Sequence, residues 1–135
     1  MKKSAFFMVI LLLLVSCNSP EQVKQNNEVI SEYNHYVEVE QQIVADHNKI
    51  LEHLRFKMGD KFSYRSSIDE YLAFVGKYKQ DIVSFKDFLT AHEQFLDSED
   101  VNVDFTRNDL QNIIDTMDKN AKDFREWKVN NPITT

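Results

Sequence analysis

Apolar residues return every three or four positions along three long stretches of this chain, the spacing of helices that bury one face. The first stretch, from about Glu28 to Met58, carries Tyr33, Val37, Ile43, His47, Leu51 and Leu54 on one stripe, and Gly59-Asp60 follows as a stop. A helix of about 31 residues, roughly 46 Å long, is predicted there. The second opens on Ser67-Ile68-Asp69-Glu70, where the Ser67 hydroxyl and the Glu70 carboxylate can each satisfy the other's backbone amide as a capping box. Its apolar face continues through Tyr71, Val75, Tyr78, Ile82, Phe85 and Leu89 to about Leu96. The third follows a polar loop, Asp97 to Asp104, with Thr106 as cap, Phe105 and Leu110 as a hydrophobic staple, and a face of Ile113/Ile114, Met117, Ala121, Phe124 and Trp127.

Two helices of matched length joined by about eight residues fold back on each other, and a third covers them. The expected fold is all-α, an antiparallel three-helix bundle over residues 28–128 with two long helices and a shorter third. In that register His47 faces Tyr78 and His92 faces Tyr33. Residues 129–135, broken by Pro132, read as a flexible tail. No Asn-Gly or Asp-Gly pair marks a hairpin of strands.

The start of the chain follows a different pattern. Lys2 and Lys3 precede eleven unbroken apolar residues, Ala5 to Val15, and then Ser16-Cys17. Eleven residues reach only about 16 Å as a helix, against about 30 Å of hydrocarbon, so residues 1–16 have the proportions of a secretory leader rather than a span. The end of that leader, Leu14-Val15-Ser16-Cys17, resembles the lipobox of bacterial lipoproteins. The resemblance implies that the leader is cut before Cys17 and that acyl chains are joined to this residue, anchoring the mature protein in a membrane. Two or three acyl chains make such attachment lasting where one is marginal. It further implies a cell-envelope location, with the outer membrane favoured if the cell has one, because Asn18 rather than Asp follows the cysteine. Residues 17–27, polar and containing Ser19-Pro20, read as the lipidated cysteine and a flexible tether.

Composition removes many alternatives. Loss of Lys2 and Lys3 with the leader takes the net charge from −6 to −8, which repels phosphate backbones and argues against nucleic acid as a partner. Cys17 is the only cysteine, leaving no disulfide, thiolate nucleophile or zinc knuckle. Gly59 and Gly76 are the only glycines, too few for phosphate-cradling loops or a nucleophile elbow. His35, His47, His53 and His92 do not share ligand spacing. No catalytic residue, metal or cofactor is expected.

Three features remain as candidates. The hairpin tip, with Arg55, Phe56, Lys57, Lys61, Phe62, Tyr64 and Arg65, sets four bases against the single acid Asp60 and mixes them with aromatics, a combination suited to an anionic partner. Alternatively, Arg55 and Lys57 complement the helix dipole while Phe56 and Phe62 close the end of the bundle. Glu40, His47 and Tyr78 form a possible ligand pocket between helices. Phe74, Phe88 and Phe95 make a second stripe, covered by the third helix or exposed to a partner, with Gly76 beside it permitting close approach or merely weakening the helix. The expected function is that of a membrane-anchored binding or adaptor module whose partner is another envelope protein. A helical carrier or sensor of a small apolar or anionic ligand is the alternative, and a hydrolase is a more distant one.

Overall fold

The computed structural model describes residues 19–133, so the leader and Cys17 lie outside the described residues. Within them the chain is all-α, with four helices rather than three: α1 (Pro20–Lys57), α2 (Lys61–Ala91), α3 (Glu93–Ser98) and α4 (Val103–Asn130).

The 38-residue α1 begins eight residues before the expected start, so residues 20–27 are helical and not a coil. Local chemistry explains this. Ser19 is the N-cap, accepting from the Gln22 amide at 3.1 Å, Pro20 occupies the first turn where its missing N–H costs nothing, and Glu21 complements the dipole.

The connection to α2 is also shorter than expected, three residues instead of eight. Asp60, not Ser67, caps α2; its carboxylate accepts from the amides of Phe62 and Ser63 and from the Ser63 hydroxyl. Ser67 sits buried inside the helix. The early start shifts the register, so His47 faces Tyr71 rather than Tyr78, and Tyr33 packs on Phe85.

The expected continuation to Leu96 is interrupted at His92, whose backbone leaves helical geometry (φ −119°, ψ 27°). α3 then closes with Asp100 in the left-handed region (φ 66°), the Val101 amide donating to the Leu96 carbonyl and the Asp100 amide to that of Asp97. This is a Schellman closure made with aspartate where glycine is usual. It turns Val101 and Val103 into the core, so the supposed polar loop is partly buried. Asn102, not Thr106, caps α4 by accepting from the Phe105 amide, and Phe105 stays largely exposed. α4 runs on to Asn130, two residues into the supposed tail.

α2 is the central element. It packs against α1 on one side and α4 on the other, whereas no Cα of α1 comes within 8 Å of one in α4. Along the α2–α4 seam Asp69 pairs with Lys128, Lys79 with Asp118 at 2.7 Å, and Lys86 with Gln111. The residue numbers of each pair add to the same total, as an antiparallel register requires. Phe74 and Phe88 are buried, and the rings that meet them from another helix are His47 and Tyr36 of α1, so α1 rather than the last helix covers these two members of the stripe. A Cβ added at Gly76 meets nothing within 4 Å, so this glycine serves no close approach.

Candidate functional site

Two places collect the side chains singled out above: the interior around His47 and the end of the molecule formed by the α1–α2 turn.

In the interior, His47 Nε2 lies 2.7 Å from Tyr71 Oη, and Asn120 Nδ2 donates to the same oxygen at 3.3 Å. Tyr71 Oη has one proton to donate and two lone pairs, so it can accept from Asn120 and still either donate to His47 Nε2 or accept from it, according to the imidazole tautomer. Each of the three helices α1, α2 and α4 contributes one member. Burial lowers the His47 pKa and raises that of Tyr71, so both are neutral near pH 7. Such an arrangement satisfies buried polar groups and fixes helix positions.

Glu40 acts elsewhere: burial, and then the Glu40 charge, push the Tyr33 hydroxyl up to about 12. Tyr78 stands against Phe74, with ring centroids 5.0 Å apart, and the same Phe74 ring lies 6.0 Å from His47. The shifted register gives His47 a different tyrosine, Tyr71, as its hydrogen-bond partner, with the Phe74 ring between His47 and Tyr78. Tyr71 and Asn120 were not singled out from the sequence. Asn120 carried a readable signal, as an amide on the apolar stripe between Met117 and Phe124 that would need a partner.

At the turn the fold divides the predicted tip residues into two sets. Tyr64 and Arg65 are absorbed. The Tyr64 ring meets Trp127 edge-on at 4.8 Å and Phe124 at 6.3 Å, and burial raises its hydroxyl pKa. The Arg65 guanidinium donates to the Lys128 carbonyl at 3.2 Å and to that of Asn131 at 2.8 Å, closing the C-terminal end of α4. Phe56, Met58 and Phe62 are instead 79%, 64% and 67% exposed, so they do not close the end of the packed core. Arg55 and Lys61 are exposed and Lys57 half-buried, and among the described residues none of these cations has a carboxylate within 4.0 Å. Hydrogen bonds from the Ser63 amide and hydroxyl hold the Asp60 carboxyl below its ordinary pKa, with the Phe62 amide and Lys57 contributing.

Because Arg65 ties the last turn of α4 to the first turn of α2, Val129 and Ile133 also lie at this end, 77% and 47% exposed. Their place in the expected tail hid them from sequence reading. Among the described residues no helix is long and apolar enough to cross a membrane, and no group of three or more His, Cys, Asp or Glu side chains converges as a metal site. Comparison with known proteins finds no match for this chain, whether among protein-family models, curated proteins or solved structures.

Proposed function

We propose that this chain is a lipid-anchored adaptor of the bacterial cell envelope, held in its membrane through acylated Cys17 and engaging a partner protein with the α1–α2 end. The observation that carries the reading is the exposed basic and apolar tip at the far end of a continuous helix whose cap, Ser19, follows Cys17 by two residues.

Two residues of chain reach at most about 7 Å, and 38 helical residues extend about 57 Å. An acylated Cys17 would thus sit beside one end of a rod and the tip at the other. Charge is divided along the same axis. Residues 20–40 hold five acids and one base, and residues 93–104 five acids and no base, while residues 55–65 hold four bases and one acid. Anionic headgroups repel the acidic end, so attachment falls to the lipid rather than to charge. Asn18 after the cysteine favours the outer membrane in a cell that has one.

Two measurements in cells test the reading. Metabolic labelling with a clickable fatty acid is expected to mark the wild-type chain and not Cys17→Ser; an unlabelled wild type overturns the anchor. Lysine-directed cross-linking of the membrane-bound protein is expected to yield one discrete adduct with another protein. A wild type that gives no discrete adduct overturns the adaptor role.

A further inference from the structure

The far end is a composite surface, larger than the turn between α1 and α2. Five of the six exposed large apolar residues belong to it: Phe56, Met58, Phe62, Val129 and Ile133, leaving only Phe105 at the opposite end. Around them stand Arg55, Lys57 and Lys61, while the acid among them, Asp60, is committed to capping α2.

Resting on the adaptor reading, we propose that this end docks into an apolar depression of a partner protein whose rim carries aspartate and glutamate. Three observations select that occupant. Aromatic residues, methionine and arginine are the types enriched where protein interfaces are fully buried, and the cations are placed to meet an acidic rim. A lipid surface is a poorer match, because recognition of anionic headgroups uses clusters of roughly four to eight Lys or Arg. At the α1–α2 turn three cations are available, Arg65 being spent on the carbonyls of α4. A second copy of the chain is poorer still. Tip against tip opposes cations to cations, and the complementary acidic region lies at the other end of the rod.

The test places a photo-cross-linking phenylalanine analogue at Phe56, at Phe62 and, as a control from the opposite end, at Phe105 in the full lipidated chain in cells. Adducts with one protein are expected from Phe56 and Phe62 and not from Phe105, mapping to a partner segment with acids flanking apolar residues. Arg55→Glu combined with Lys61→Glu, both exposed, is expected to lower adduct yield by about tenfold or more at unchanged melting temperature. Adducts formed only at Phe105 overturn the proposal and, with it, the α1–α2 end as the engaging surface, leaving a lipid-anchored partner-binding role; yields indifferent to charge reversal overturn the acidic-rimmed partner alone and leave the adaptor reading standing. Adducts between copies of this chain overturn it in favour of self-association. Binding of the wild-type chain to vesicles of phosphatidylglycerol and phosphatidylcholine in equal parts, abolished by the same charge reversal, overturns it in favour of a second membrane. A discrete lysine-directed adduct without any photo-adduct removes this docking end alone; loss of both removes the adaptor reading as well.

Discussion

At the middle of the helical body a histidine, a tyrosine and an asparagine from three helices are joined by hydrogen bonds to the tyrosine hydroxyl. At its far end two phenylalanines, a methionine and three cations turn outward. Both regions are rich in aromatic and polar groups, and the difference lies in what the fold takes from them. Removing Tyr71 leaves groups on two other helices without partners, whereas removing Phe56 leaves nothing behind. Arg65 marks the boundary, three residues from exposed Phe62 and bonded to the end of α4. Stability and recognition are thus assigned to different residues, and the assignment can be broken one residue at a time.

The largest effect is expected at the centre. Tyr71→Ala should cost about 3–5 kcal/mol in urea denaturation, through lost burial and a cavity. Tyr71→Phe keeps the ring and should cost about 1–3 kcal/mol, by orphaning His47 and Asn120. A Tyr71→Phe variant as stable as wild type would show that the hydroxyl joins nothing of consequence.

At the boundary, Arg65→Ala should lose about 1–3 kcal/mol while Lys61→Ala, four residues earlier, loses less than about 0.5 kcal/mol, both read from thermal melts. Equal losses would erase the division drawn between them.

The centre also makes stability depend on pH. Burial lowers the His47 pKa, so below about 6.5 the unfolded chain takes up a proton that the folded chain refuses. Stability is therefore whole above that value and falls as pH drops from 7 toward 5, by at most about 1.4 kcal/mol per unit, levelling once folded His47 is itself protonated. Unfolding titrations at several pH values should show His47→Gln with a shallower dependence than wild type. A parallel dependence would mean that His47 is not the group responsible.

Two backbone changes should raise stability by up to about 1 kcal/mol each: Gly76→Ala, where the added methyl meets open space, and Asp100→Gly, which relieves a left-handed aspartate. Smallest of all, Phe56→Ser and Phe62→Ser should change stability by less than about 0.5 kcal/mol, as surface positions do. A large loss in either would place that ring inside the fold.

Much of this arrangement was legible in the chain. Helical periodicity marked all three long helices and nearly all of the core, because burial on one face imposes that pattern on sequence. Boundaries were less legible, since a cap is a competition between neighbouring candidates. Ser67-x-x-Glu70 has the form of a cap, but Asp60 acts first, and once α2 starts at Lys61 the serine is interior. The polar run Gln22 to Asn27 carries no periodic signal, yet Ser19-Pro20 had the form of a helix start. Asp100 closes α3 without glycine and so hid the turn that buries Val101 and Val103. For the candidate site, the excess of bases at the tip was readable from composition. Which bases the fold would consume depended on where α4 ends, a tertiary fact that no local pattern carries.

The stiffness of α1 bears on how a partner is found. If acyl chains hold Cys17 and helix begins two residues later, the tip sweeps a shell of about 57 Å radius rather than wandering on a slack string. One tip confined to that hemisphere corresponds to a local concentration on the order of millimolar for any partner fixed within its reach. An interface of modest intrinsic affinity then suffices for near-continuous occupancy. A partner standing farther from the membrane than the rod's length gains nothing from the tethering, so the length of α1 sets the greatest height at which a partner can be met.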